Sequence, residues 1–392
     1  MEIIYHHRTR GIWAEGAHIY ETINAFQETG HHVCTVSPGA SAKSHVSTNH
    51  KPQKIISLFK FISKYSPEFV FELLELLYNF IAYYKLATRI RKNKPDFIYE
   101  RYSLFMFAGV YLARKKHIPI ILEINDSAVV QRVRPLLFKR LARFIEKKIF
   151  HNCSGLVFIS NQFKIEMEEA HGDIAESIIL PNAANIKTFN PEDYDRDAMR
   201  KKLGIEHNVV CGYVGAFHKW HGIVWFVNEI IDLLKSHDQL VLLLVGDGPC
   251  FEQIESLVKQ ENLGDKIILT GRVAHDKVPA YISAMDFSIL PSSNTYGSPM
   301  KLFELMSMGV AVVAPDYEPI KEVIEDAHTG WLFKKEDHKD CIEKVMEVSN
   351  DEQILITTGN NAMKYIRDER TWQNNTNEIV DFVSKLDSGY KV

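Results

Sequence analysis

The sequence has few cysteines, no apolar run long enough to cross a bilayer and no excess of positive charge. Its five cysteines lie far apart, with no CxxC pair and no cysteine–histidine cluster, which favours free thiols in a reducing compartment and excludes structural zinc. No apolar run approaches the ~20 residues of a membrane-spanning helix. A net charge of −4 excludes a generally basic nucleic-acid binder. Because the chain opens on a strand pattern rather than a signal peptide, we expect a cytoplasmic protein.

The 392 residues are enough for two domains, and a content of 46% hydrophobic residues is that of a globular protein. In both halves, apolar runs of strand length alternate with helical patterns, which predicts α/β domains with doubly wound parallel sheets. A connector rich in proline and asparagine at 181–191 separates the halves. We therefore predict a first domain at 1–187 and a second at 188–367, with 368–392 packing back on the first.

The first candidate residues follow the opening strand, MEIIY. The loop HHRTRGIWAEG comes next, with Gly11 and Gly16 predicted in it and a helix predicted to begin near His18. Loops at the carboxyl ends of parallel strands face the ligand crevice, so these polar side chains are candidates for acceptor binding. A solvated loop is the equal alternative. The loop lacks a GxGxxG pattern, so a dinucleotide is not indicated. The candidates are His6, His7, Arg8 and His18.

A second polar segment lies at the end of the strand pattern IPIILE. It delivers Glu123, Asn125 and Asp126 to a predicted strand end, where they could face the same crevice. Alternatively, Asn125 and Asp126 form only a turn and a helix cap.

Two stretches of the first half are basic and aromatic. Residues 54–92 have helical periodicity and end in basic residues, and 132–148 carries seven cations and one anion on a second helical pattern. Core helices with solvated faces explain both. The alternative is a surface that lies on an anionic membrane.

The most informative stretch is 291–315, PSSNTYGSPMKLFELMSMGVAVVAP. A small-residue loop leading into a helix presents unpaired backbone N–H groups and suits a phosphate. Lys301 and Glu304 are three residues apart and share one helix face. A cation for a diphosphate and a carboxylate for a sugar diol would converge there. A solvated ion pair on a capping loop is the alternative.

The second half resembles the family 4 retaining glycosyltransferases, which have the GT-B fold of two Rossmann-like domains facing across a crevice. The shared segments are YVGAFHKWHGI, LLLVGDGP, ILTGRV, YISAMDFSILPS, GSPMKLFELMSMGVAVVAP and TGWLF, in order along about 160 residues. The first half is more weakly similar to the acceptor domains of the members that build bacterial extracellular polysaccharides.

The resemblance implies residue roles. Glu304 matches the second glutamate of the family's E-x7-E motif, which binds the ribose of the donor nucleotide. Asn125 falls where many members place a histidine near the donor sugar, and His18 follows the acceptor-side loop. The implied catalytic residues are Lys301, Asn125 and His18. The implied donor-binding residues are Gly215, Lys219, His221, Arg272, Val273, Tyr296, Gly297, Ser298, Pro299, Lys301 and Glu304. The implied acceptor-side residues are Arg8, Gly16, His18 and Glu123.

Three positions depart from the family pattern. Tyr296 stands where the first glutamate is expected, and Ala216 and His221 stand where basic residues usually neutralise the leaving diphosphate. Lys301 is positioned to replace one cation, and Lys219 or His218 the other.

The resemblance therefore implies a metal-independent hexosyltransferase that needs no cofactor. It would move a sugar from a UDP- or GDP-sugar to a glycan or lipid-linked acceptor in cell-surface polysaccharide synthesis, either in the cytoplasm or peripherally on the inner membrane face. The alternatives are a nucleotide-sugar epimerase, a phosphorylase, or a nucleotide-sugar-binding subunit that has lost catalysis. A paired-carboxylate hydrolase is disfavoured, because Glu304 and Glu322 are predicted on separate helices.

Overall fold

The computed structural model describes residues 1–9, 14–38, 68–130 and 135–389. It divides into two compact units, one formed by Met1–Leu180 with Asn375–Val392 and the other by Pro181–Asn374. The chain thus changes unit at Leu180 and returns at Asn375, whereas the sequence placed these changes at 187 and 368. A parallel bridge between Ala184 and Thr371 joins the two connecting segments to each other, and both residues belong to the second unit.

The first unit is built on one parallel sheet of six strands in the order β2-β1-β3-β4-β5-β6. Its strands are β1 (Glu2–His6), β2 (His32–Val36), β3 (Phe97–Arg101), β4 (Ile120–Ile124), β5 (Gly155–Phe158) and β6 (Ser177–Ile179). Its helices in chain order are α1 (Ala14–Glu28), α2 (Glu68–Asn93), α3 (Ala108–Lys116), α4 (Lys139–Asn152) and α5 (Asn161–His171).

The second unit repeats this plan with six parallel strands in the order β12-β11-β10-β7-β8-β9. Its strands are β7 (Val209–Val214), β8 (Leu240–Val245), β9 (Ile267–Leu269), β10 (Phe287–Ile289), β11 (Ala311–Pro315) and β12 (Trp331–Phe333). Its helices are α6 (Arg196–Leu203), α7 (Ile223–Glu229), α8 (Ile231–Ser236), α9 (Phe251–Gln260), α10 (Val278–Ile282), α11 (Met300–Ser307), α12 (Glu318–Lys321), α13 (His338–Ser349) and α14 (Glu352–Glu369).

The last helix, α15 (Trp372–Gly389), starts in the second unit and runs into the first. Its apolar side chains Ile379, Phe382 and Val383 join the core of the first unit. Gly155 on β5 makes this packing possible, since a Cβ there would lie 2.5 Å from the Phe382 ring. Buried apolar side chains cover both faces of the second sheet.

The strand orders identify where ligands bind in each unit. In the second sheet the order reverses between β7 and β10, and in the first sheet between β1 and β3. Loops that leave the carboxyl ends of strands at such a switch point form the crevice of a doubly wound sheet. The doubly wound fold predicted for each half is therefore confirmed, and the loops after β7 and β10 carry most of the predicted donor-binding residues.

One local prediction in the first half is wrong. Helix α1 begins at Ala14, so Gly16 lies in its first turn rather than in a loop, and His18 lies in its second turn. Glycine is a common loop signal but is tolerated in a first helical turn. Glu123 is the last but one residue of β4, at the predicted strand end, and it is buried. Gly11 and residues 54–67 and 132–134 lie outside the described residues.

Within the described ranges, none of the helices is both long enough and apolar enough to cross a membrane.

Candidate active site

The loop after β7 provides a close backbone approach at Gly215. This residue has φ of +143°, a conformation that side-chain-bearing residues rarely adopt. A Cβ built there would lie 3.2 Å from the Nζ of Lys301. Glycine therefore leaves room for a ligand phosphate to contact the backbone next to an ammonium group.

Lys301 lies in the first turn of α11 and crosses to β7. Its Nζ sits 4.5 Å from the centroid of the Tyr213 ring and 3.5 Å from the Tyr213 hydroxyl. Burial lowers the pKa of Lys301 to about 7, although the Glu304 carboxylate acts in the opposite direction. The site thus holds an ammonium group that an anionic ligand would stabilise.

His221 completes this cluster as a neutral side chain. Its Nδ1 and the Tyr213 hydroxyl both donate to the Ala216 carbonyl. Burial, together with the nearby Lys301 ammonium, lowers the pKa of His221 to about 4. At neutral pH this imidazole is uncharged, so His221 does not supply the diphosphate-neutralising cation expected at its position. Lys219 and His218 are exposed on the same loop.

Glu304 lies one turn beyond Lys301 on α11 and is only 9% exposed. Its Oε1 is 3.3 Å from the Nε2 of His275, in the turn after β9. The predicted nucleobase-side residues Arg272 and Val273 precede that turn. His275 was not predicted. The only signal for it in the sequence is its position shortly after Val273, which is too weak to assign a role.

The loop between β10 and α11 is fixed by a partner from the connector. The Asn182 backbone N–H donates to the Ser298 Oγ over 2.9 Å, and the Asn182 side-chain amide donates to the Ser298 carbonyl. Both residues are buried. Gly297 packs so closely that a Cβ would lie 2.0 Å from the Asn294 Oδ1. Pro299 caps α11, and Tyr296 is partly buried in the same loop.

In the first unit, a buried polar cluster gathers two predicted acceptor-side residues around Arg101. The Arg101 Nη1 is 3.0 Å from the Glu123 Oε2 and 2.9 Å from the His18 Nδ1, and the His18 Nε2 is 3.2 Å from the Glu123 Oε1. Since a guanidinium only donates, His18 Nδ1 accepts and Nε2 carries the proton. Both ring nitrogens of His18 therefore face protein groups. Burial, the largest single effect, lowers the pKa of Arg101, but the combined effect of Glu123 and three further acidic or phenolic groups raises it overall.

Arg8 and Asn125 lie elsewhere at this end of the first sheet. Arg8 donates to the Leu104 carbonyl over 2.9 Å and to the Glu75 carboxylate over 2.7 Å. Asn125 follows β4, and its Nδ2 is buried without a hydrogen-bond partner in the described part of the chain.

The predicted catalytic residues are divided between the units. Lys301 belongs to the second, whereas Asn125 and His18 belong to the first. Among the described residues there is no group of three or more histidine, cysteine or carboxylate side chains able to hold a metal ion.

Two family models match the chain. The model described as Glycosyltransferase Family 4 matches residues 16–187, and the model described as Glycosyl transferases group 1 matches residues 208–351. Together they cover all of the candidate residues except His6, His7 and Arg8.

Individual proteins are similar over most of the chain. The uncharacterized glycosyltransferase MJ1069 of Methanocaldococcus jannaschii is 23% identical over 312 residues, 78% of each chain. The alpha-monoglucosyldiacylglycerol synthase of Acholeplasma laidlawii is 23% identical over 292 residues, 71% of this chain and 72% of its own. The structure of Anabaena Alr3699/HepE in complex with UDP matches with a TM-score of 0.70 at 15% identity, covering 98% of this chain and 100% of that one. The structural likeness confirms the predicted GT-B fold.

Proposed function

This chain belongs to glycosyltransferase family 4, and from that premise we propose that it transfers a sugar from a uridine or guanosine diphosphate sugar with retention of the anomeric configuration. It is a glycosyltransferase that uses a nucleotide-sugar donor. The acceptor in this proposal is a hydroxyl group of a lipid or lipid-linked glycan. Uridine diphosphate is favoured, because the Anabaena structure is a complex with UDP.

One observation carries the donor assignment. The Lys301 ammonium lies against Gly215, and Glu304 follows one turn later on the same helix. A diphosphate at Gly215 would meet the ammonium and the backbone N–H groups of the loop at Gly297 and Ser298. The ribose diol would then reach the Glu304 carboxylate, which accepts hydrogen bonds from two adjacent hydroxyls.

The proposed reaction breaks the bond between the sugar C1 and the diphosphate oxygen and forms a bond from C1 to the acceptor oxygen. The acceptor attacks the face from which the diphosphate leaves, and the leaving phosphate oxygen takes the acceptor proton. Negative charge therefore grows on the diphosphate as the bond breaks. The Lys301 ammonium is held in place to stabilise that charge without reorganisation.

We expect the reaction to need no metal ion or cofactor, since Lys301 would supply the neutralising charge. Asn125 is the candidate for a hydrogen bond to the transferred sugar, because it follows β4 and its Nδ2 donor is unsatisfied in the described part of the chain. The second neutralising cation in the proposal is Lys219, on the exposed loop that follows Gly215.

The acceptor class and the membrane position rest on two observations. The Acholeplasma relative is named for a product built on diacylglycerol. The first unit also exposes basic and aromatic side chains of α2 and α4. Both support a lipid-linked acceptor and a peripheral position on the cytoplasmic face of a membrane. The role in surface polysaccharide synthesis is part of the proposal that follows from the sequence resemblance of the first half.

A thermal-shift panel tests the donor site. UDP-, GDP-, ADP-, CMP- and dTDP-sugars would each be added to the protein and the melting temperature followed. We expect a rise with uridine or guanosine nucleotides alone, since a ligand stabilises the state that binds it. No shift with any donor would contradict the proposal. Retention is tested separately by NMR of the product's anomeric proton.

A further inference from the structure

Exposed apolar side chains are concentrated on three helices of the first unit. Phe80 and Tyr84 on α2 are 76% and 75% exposed, and Phe144 on α4 is 59% exposed. On α2 the exposed apolar residues recur every three or four positions, so they form one stripe along the helix. We call this surface the basic aromatic face, and its apolar members are Phe69, Leu73, Leu77, Phe80, Ile81, Tyr83, Tyr84, Phe107, Tyr111, Leu137, Phe138, Leu141 and Phe144.

The three helices contribute to one continuous surface. The rings of Tyr83 on α2 and Tyr111 on α3 lie with centroids 6.2 Å apart. The Glu72 carboxylate of α2 accepts the backbone N–H groups of residues 137 and 138, over 2.6 and 2.8 Å, at the start of α4.

A groove of about 720 Å³ runs between α3 and α4. Its lining is mostly apolar but includes the basic side chains of Arg114, Lys115 and Lys148. The Lys148 Nζ lies 5.8 Å from the centroid of the Phe144 ring.

The exposed charges on α3 and α4 are all positive. Helices α3 and α4 carry eight exposed cations: Arg114, Lys115, Lys116, Lys139, Arg140, Arg143, Lys147 and Lys148. The one carboxylate on these helices, Glu146, is fully buried. It accepts hydrogen bonds from Tyr102, Ser127, the Ala128 backbone and His171, over 2.6 to 3.0 Å. A chain with a net charge of −4 thus presents a locally positive surface.

These positive charges favour an anionic partner over a second copy of the chain. A second copy of the chain meeting this face with its own would place cations against cations, which disfavours a symmetric dimer. An anionic bilayer instead offers phosphates to the lysines and arginines and an apolar boundary to the aromatic rings.

We propose that the basic aromatic face is the surface by which the protein lies on an anionic phospholipid bilayer, with a lipid acyl chain in the α3–α4 groove and its phosphate at Arg114, Lys115 and Lys148. The proposal deepens the peripheral membrane position proposed above and rests on it. It would place the first unit at the membrane without any membrane-spanning segment from these helices.

The experiment is co-sedimentation of the full chain with vesicles of phosphatidylcholine alone and of phosphatidylcholine mixed with phosphatidylglycerol. We expect binding only to the anionic vesicles, weakening as salt rises. Lys147→Gln with Lys148→Gln should weaken this binding about 30-fold, since each lysine near an anionic surface contributes about 5-fold. Phe144→Ser should also weaken it, because an inserted ring is lost.

The second unit offers a matched control. Lys201 and Lys202 are also adjacent exposed lysines on a helix, and the Lys202 Nζ likewise lies near an aromatic ring, 5.9 Å from the centroid of Tyr281. Lys201→Gln with Lys202→Gln removes the same charge and should leave vesicle binding unchanged. Ile356→Ser, at a side chain 52% exposed on α14, is the control for Phe144→Ser.

Three results would overturn the proposal: no binding of the unaltered chain to anionic vesicles, equal losses in test and control variants, or a dimer in analytical ultracentrifugation that Phe144→Ser dissociates. Thermal shift by donors, measured without vesicles, distinguishes a failure of this proposal from a failure of the proposed function. If vesicle binding is absent while a donor still raises the melting temperature, the proposed membrane surface is wrong and the proposed function is unaffected.

Discussion

At the scale of single residues, the donor site depends on how one ammonium group is held. Lys301 contacts the face of Tyr213 and lies beside Gly215, so its charge is partly shielded from water. This arrangement costs free energy in the empty site, and a diphosphate would offset that cost. The same arrangement makes donor binding sensitive to pH.

The pKa of Lys301 predicts the direction of that sensitivity. With a pKa of about 7 in the free protein, Lys301 is charged at pH 6 and mostly neutral at pH 8. A bound diphosphate raises this pKa, so donor affinity should be constant below pH 6 and fall about 10-fold between pH 6 and 8. Isothermal titration calorimetry with a UDP-sugar at several pH values between 6 and 8 measures this change in donor affinity. Lys301→Arg should abolish the pH dependence, because arginine stays charged; an unchanged slope would contradict the assignment.

Arg101 is the residue on which the polar cluster of the first unit depends. Arg101→Gln would leave the Glu123 carboxylate buried without its cation, and we expect a loss of about 3 kcal/mol in the free energy of unfolding. Urea denaturation measures it. Arg89→Gln, at an exposed position on α2, should change stability by less than about 0.5 kcal/mol. Equal losses for the two variants would show that the cluster does not stabilise the unit.

At the scale of elements, the loop between β10 and α11 is rigid because Asn182 bonds it at two points. Asn182→Ala keeps the backbone bond to Ser298 and removes the side-chain bond. We expect donor affinity to fall about 5-fold with little change in melting temperature, since loss of one hydrogen bond to a binding loop costs about 1 kcal/mol. Asn350→Ala, which removes an exposed amide bonded to the Met346 carbonyl, is the control. Equal affinity in both variants would rule out this positioning role.

Most elements were predictable because their patterns are local. Buried strands such as β8 read as unbroken apolar runs, and α11 follows its loop as expected. Arg101, His275 and Asn182 were not predicted, because their partners lie 22, 29 and 116 residues away along the chain. The start of α1 was misplaced, since Gly16 gives a loop signal that the helix overrides. The neutral state of His221 depends on burial, which no local pattern reports.

At the scale of the whole molecule, two similar units divide the chemistry. The second unit holds the predicted donor-binding residues, while the first holds the polar cluster of Arg101, His18 and Glu123 and the basic aromatic face. The strand orders explain why the sites lie where they do, since both sheets place polar loops at their switch points. The fold could be predicted from the alternation of strand and helix patterns alone. The roles of the two units could be predicted only from the resemblance to the family 4 glycosyltransferases.

The most direct measurement is the single-turnover rate of sugar transfer in Lys301→Ala, at saturating donor identified by the thermal-shift panel. If Lys301 neutralises the departing diphosphate, the rate should fall by about 100-fold or more with the fold intact. Lys335→Ala is the matched control, because its Nζ also lies over a tyrosine ring of the second unit, that of Tyr317, at 5.8 Å; it should transfer at the unaltered rate. A Lys301→Ala rate equal to that of the control would contradict the account.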